Sequence, residues 1–209
     1  MTYGLISHEC AHVEITAEKE HFVPDARFGT EIHGFERAVM FQVAEICWDE
    51  YAACRISAMF NARQNETHAE TVCASANVAR RRSNDAIREY RLHGNLDRLI
   101  QEAGPPLCQP IKAAAYLLGG MDAVGEEWSD QAETEAALID ADYLELVNEL
   151  WAELRRLWDT RGTWEPSLSV FSGLEAVAND VFRSGGIIFS TSPEGECNVD
   201  VPFSPQTMP

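Results

Sequence analysis

Five residues near the start of the chain, His8-Glu9-Cys10-Ala11-His12, have the form H-E-x-x-H. On a helix, positions four apart lie one turn above each other, so His8 and His12 face the same way and can share one metal ion. Glu9 then stands beside that metal, where it can take a proton from a bound water. Zinc accepts two imidazoles and one carboxylate, and keeps an open fourth position when the site is catalytic. Three fixed residues in five also fit an ordinary helix face, so the pattern needs a third ligand from elsewhere in the chain.

The segment 34–61 offers one. Its apolar positions Val39, Val43, Ile46, Cys47, Ala53 and Cys54 recur at helical spacing, and Glu50 falls in the middle of that stripe. A carboxylate on a buried face is costly unless it is paired or coordinates a cation. Glu50 is therefore the candidate third ligand; an arginine or backbone donors satisfying it is the alternative. Asp49, its neighbour, is a fallback ligand or a partner for a ligating histidine.

A helix bearing HECAH, followed by a second helix with a Glu in an E-x-x-A setting (WDEYAACR, Trp48 to Arg55), resembles the gluzincin arrangement of zinc metallopeptidases. It is similar also to small ImmA/IrrE-type peptidases, and the resemblance covers about the first 60 residues. It implies Zn2+ held by His8, His12 and Glu50, with Glu9 as general base for a metal-activated water attacking a peptide or protein substrate. Gluzincins place a small sheet before the HExxH helix, and its edge strand holds the peptide. Seven residues precede His8 here, so the expectation is an upstream sheet that is absent or truncated, or a C-terminal hairpin near Ile187 in its place. His21, His33, Tyr51 and Tyr116 are the candidates for stabilising the oxyanion.

The elements that must position these groups are mostly helical. Residues 3–16 read as a helix, 17–33 as an irregular stretch, 34–61 and 66–93 as long helices, the latter stopped by Gly94. Gly104-Pro105-Pro106 marks a break, 111–118 a short apolar helix, 130–159 one long helix and 168–182 a last one. A strand at 185–190 can pair with 199–201 across a turn around Pro193–Gly195, and the end of the chain reads as a loose tail. The fold class is mainly α, a zincin-like helical core with a small C-terminal β-hairpin. Residues 1–103 form the metal-binding helical region, and 104–209 a helical extension packed with it as one domain.

Sixteen basic residues against 34 acidic ones give the 209-residue chain a formal charge of −18. Such a surface repels phosphates and anionic lipid, which argues against nucleic-acid and membrane partners. With neither a leader segment nor a long apolar run, and with six cysteines that form no C-x-x-C pair, the chain reads as cytoplasmic with free thiols. Cys10, Cys47 and Cys54 read as core residues, His68 and His93 as solitary and solvated, and the five tryptophans as packing anchors. Arg80, Arg81, Arg82, Arg88 and Arg91 read as a solvated helix face, with a grip on an acidic segment as the alternative. Two other functions fit the charge: an acidic helical interaction or regulatory protein with a structural or degenerate zinc site, and an acidic mimic of nucleic acid.

Overall fold

A computed structural model of the chain describes residues 2–27, 29–61, 63–192 and 196–208. Helix α1 runs Thr2–Phe22, α2 Phe35–Ser57, α3 Gln64–His93 and α4 Leu96–Val124; α5 (Ala132–Asp140), α6 (Leu144–Asp159) and α7 (Ser172–Ser184) follow. Strands β1 (Ile188–Thr191) and β2 (Cys197–Asp200) close the chain as an antiparallel pair. The fold is mainly α with a C-terminal hairpin. No helix among the described residues is long and apolar enough to cross a membrane.

Helix α1 extends further than expected, through the segment 17–22. Its reason is Lys19, which is 3% exposed and lies against α2, where its ammonium donates to Glu45 (2.6 Å) and Asp49 (3.3 Å). A buried lysine is tolerable only when paired in this way, and the pairing holds the last turns of α1 along α2. Glu18 adds a second tie, accepting from Arg161 at 2.6 Å.

The expected break at Gly104-Pro105-Pro106 is absent. Helix α4 passes through Pro105, Pro106 and Pro110 without interruption. Each proline removes one intrahelical donor, leaving the carbonyls of Gln101, Glu102 and Pro106 without their usual partners. Gln101 and Glu102 are exposed and Pro106 is half-buried, so solvent can take up these acceptors. The opposite face is buried through Leu107, Cys108, Ile111, Ala114, Leu117 and Leu118, and burial of that face outweighs the three missing bonds. The position 103/104 thus falls inside one helix, and residues from both sides of it belong to a single core.

Helix α4 also comes very close to its neighbours. A Cβ added at Gly119 would fall inside the contact radius of the Tyr51 carbonyl oxygen and 3.1 Å from Cys54 Cβ. Glycine there lets α4 pack directly on the turn of α2 that carries Glu50.

The expected single helix over 130–159 is two. Asp142 takes a left-handed conformation (φ 58°) and Tyr143 N–H returns to the Leu138 carbonyl at 2.8 Å, ending α5 before α6 begins. The hairpin pairs Ile188 with Asp200 and Thr191 with Cys197; the turn at 193–195 lies outside the described residues. Phe189 packs it onto Phe182 of α7, with ring centroids 5.4 Å apart.

The C-terminal segment is docked rather than loose. Arg91 donates to the Pro202 carbonyl (2.8 Å) and covers the Phe203 ring at 4.0 Å, Arg88 donates to the Gln206 carbonyl, and Thr207 is 4% exposed. Two of the arginines read as a solvated face thus hold backbone carbonyls of the tail.

Candidate metal centre

His8 and His12 lie one turn apart on α1, and Glu50 reaches them from α2. The His8 and His12 Nε2 atoms are 3.1 Å apart, and Glu50 Oε2 lies 3.3 Å from the first and 3.4 Å from the second. This is the group of His, Cys, Asp or Glu side chains among the described residues whose donor atoms converge closely enough to hold a metal ion. Four donors at about 2.0–2.1 Å from a tetrahedral ion sit about 3.3 Å from one another. The three separations match the edges of one face of such a tetrahedron. The donor set, two imidazoles and one carboxylate, also suits zinc.

Glu50 Oε2 supplies an independent sign of fit. It is buried yet has no aligned hydrogen-bond donor; the two imidazole nitrogens approach it without pointing an N–H along the contact. A cation seated between the three donors would satisfy that oxygen. Burial pushes the Glu50 carboxyl up, but the adjacent His12, His8 and Tyr116 side chains outweigh it and hold the group at about 2. The Glu50 carboxylate raises His12 in turn, against burial. The side chains of His8, His12 and Glu50 are 19%, 28% and 18% exposed, so the trio faces outward on one side.

The surroundings orient the first imidazole. Cys54 Sγ lies 3.9 Å from His8 Nδ1, and the Tyr116 ring stacks on His8 with centroids 6.2 Å apart. Cys54 is fully buried, and burial pushes its thiol well up, so it is a neutral neighbour. Burial and the Glu50 carboxylate likewise keep the Tyr116 hydroxyl protonated.

Other expected residues fall elsewhere. Glu9 is exposed beside the trio, close enough for its charge to help raise His12. Asp49 is turned to Lys19 and Glu45 rather than to the histidines. Cys10 is exposed, not a core residue, because the helix face bearing it looks away from α2. Of the four oxyanion candidates Tyr116 alone borders the site. Tyr51 is fully buried and bonded to Asp122 and Arg55; His21 packs edge-on to Phe22; His33 lines a cavity at the start of α2.

His68, which reads from the sequence as solitary and solvated, is neither. It is half-buried, edge-to-face with Tyr116 at 5.3 Å, and burial pushes its imidazole down. Its place at four residues from Gln64 on α3 was the available signal, since both then share a face. Together with Leu5, Asn61 and Gln64, the side chains of His8, His68 and Tyr116 line a cavity of about 570 Å3. Cavities of about 600 and 680 Å3 lie elsewhere, between α2, α7 and the hairpin and between α3 and α5, and neither touches the trio.

The hairpin does not stand in for a sheet at the site. Its Thr191 bonds Glu36 in the first turn of α2 (2.9 Å), and Glu50 lies 14 residues on, roughly 20 Å along the same helix. Comparison with protein-family models, with curated proteins and with solved structures gave no match.

Proposed function

We propose that the chain is a zinc-dependent hydrolase of the metallopeptidase kind, with His8, His12 and Glu50 as ligands and Glu9 as general base. The observation that carries this reading is the triangle of donor atoms, with sides of 3.1, 3.3 and 3.4 Å, exposed on one side. Structural zinc sites use four protein ligands, whereas catalytic ones use three and leave a position for water. When bound, the ion supplies Lewis-acid activation of a water and of a substrate carbonyl. Glu9 would hold the proton given up by the attacking water and deliver it to the leaving amine. Tyr116 steadies both ligands it touches, through the face of His8 and the carboxylate of Glu50.

The test joins metal analysis to one substitution. The purified protein is expected to carry about one zinc per chain, and Glu9→Gln to keep that zinc while hydrolysis of amide substrates falls about 100-fold, the low end of what a general base supplies. A wild-type protein that neither carries zinc nor takes it up overturns the reading.

A second reading is favoured by the outer face of α1. Tyr3, Ile6 and Val13 are 82%, 54% and 71% exposed, and with exposed Cys10 they form a 3-4-3 stripe of the kind helices use as seams. On this reading the site is a degenerate one that binds zinc without turnover, and the chain is an acidic interaction protein whose first helix is held in place for a basic partner. Zinc bound at one per chain, with Glu9→Gln and wild type equally inert, selects it.

A further inference from the structure

The cavity beside the trio is continuous with it. His8 and Tyr116 belong to both: His8 gives its Nε2 to the donor triangle while it lines the cavity, and Tyr116 lies against His8 and Glu50 and lines the cavity as well. A group held there is attached to whatever occupies the open side of the trio.

The walls define the chemistry of that group. Leu5 and the ring of Tyr116 offer apolar surface, and among the described residues no lysine or arginine lines the cavity. An anionic substituent gains no ion pair with these walls, while an uncharged apolar one buries its surface against them. Gln64 donates its Nε2–H to the Cys54 carbonyl at 3.1 Å, which leaves its Oε1 as an acceptor for a neutral donor such as an amide N–H. A volume of about 570 Å3 falls within the range of small-molecule pockets, enough for an aromatic ring or a branched aliphatic group and the linkage to it.

We infer that this cavity is the substrate pocket of the metal centre and takes an uncharged aromatic or branched-aliphatic group joined to the carbonyl that undergoes hydrolysis. The inference rests on the metal-centre reading above and adds to it a substrate class: neutral amides or peptides with an apolar side group next to the scissile bond.

Hydroxamates, which chelate a metal ion through two oxygens, separate the two. Acetohydroxamate, 3-phenylpropionohydroxamate and succinohydroxamate (the last carrying a free carboxylate) are titrated by calorimetry into the zinc-loaded protein. The phenyl arm is expected to bind about 30-fold more tightly than the methyl one, as burial of a ring of that size implies, and the carboxylate arm no more tightly than the methyl. Leu5→Trp and, separately, Asn61→Trp fill the cavity and are expected to bring the phenyl-to-methyl ratio close to one. Full zinc content and acetohydroxamate binding with no preference for the phenyl arm overturn the pocket and leave the metal centre standing. A protein that holds no zinc overturns the metal centre, and the pocket's role with it. A ratio unchanged in both tryptophan variants overturns the placement of the group in this cavity.

Discussion

The His12→Ala protein is expected to hold no stoichiometric zinc and to hydrolyse no amide substrate, while folding as the parent does. His12 is only half-buried and its ring packs against His8 rather than into the core, so the truncation leaves no large cavity. What it removes is one vertex of the donor triangle, reducing three ligands to His8 and Glu50. Groups that merely hydrogen-bond to a ligand are worth 10–100-fold in metal affinity, so loss of the ligand itself is expected to cost more than about 100-fold. Metal content after dialysis against a weak chelator measures it, and a variant that keeps one zinc per chain contradicts the assignment. Acid acts in the same direction, because ligands must be deprotonated to bind: with His12 raised by Glu50, proton competition begins above the ordinary imidazole value of 6.5.

In the metal-free protein the same pair leaves a pH signature. The depressed carboxyl of Glu50 contributes stability that is present above its ordinary 4.5 and lost as pH falls toward about 2. The raised imidazole of His12 contributes stability that is complete below 6.5 and lost as pH rises through its higher folded value. The two overlap between about 4.5 and 6.5, where denaturant unfolding of the metal-free protein is expected to show their joint contribution.

Asp122→Ala is expected to destabilise the bundle strongly. Asp122 sits on α4 with its side chain 4% exposed. It accepts from the Tyr51 hydroxyl, from Trp151 Nε1 at 3.0 Å and from Arg155 at 2.9 and 2.6 Å, with Arg55 at 3.5 Å. One carboxylate therefore ties α2, α4 and α6 together. Removing one partner of a buried charge pair costs about 3–5 kcal/mol. Arg155 is 41% exposed and can recover water, which places the loss near the lower figure, about 3 kcal/mol. At roughly 2–4 °C per kcal/mol for a chain of this size, the melting temperature falls by about 10 °C. Asp122→Asn retains an acceptor for Tyr51 and Trp151 and is expected to lose less; equal melting temperatures for Asp122→Ala and wild type contradict the role.

The three side chains that could hold a metal ion were legible because each leaves a local trace. His8 and His12 are one turn apart, and Glu50 interrupts an apolar stripe, so spacing alone aims all three inward. The mainly helical fold and the terminal hairpin were legible for the same reason, from periodicity and from Gly94, Gly162 and the paired glycines before Ile187. The continuity of α4 was not, because whether a helix survives three prolines depends on how much its other face buries, which is settled by α2, α3 and α6 and not by its own residues. His68 and Tyr116 stand 48 positions apart and meet only when α3 and α4 fold back on one another. Asp142 likewise splits a helix whose periodicity runs on through the break.

Two of the three candidate metal donors belong to the first helix and the third to the second, and under the proposed function this division makes metal concentration a variable of local unfolding. Without the ion, α1 is held to the bundle by Ile15, Ala11, the Lys19 pairs and the contacts of Arg161. With it, α1 cannot lift from α2 without first releasing the ligand. The opening free energy of that helix rises by RT ln(1 + [L]/Kd), about 2.7 kcal/mol at one hundred times the dissociation constant. Amide hydrogens of α1 are then the part of the molecule whose exchange with solvent reports loading, and a chelator acts on this helix as a selective denaturant.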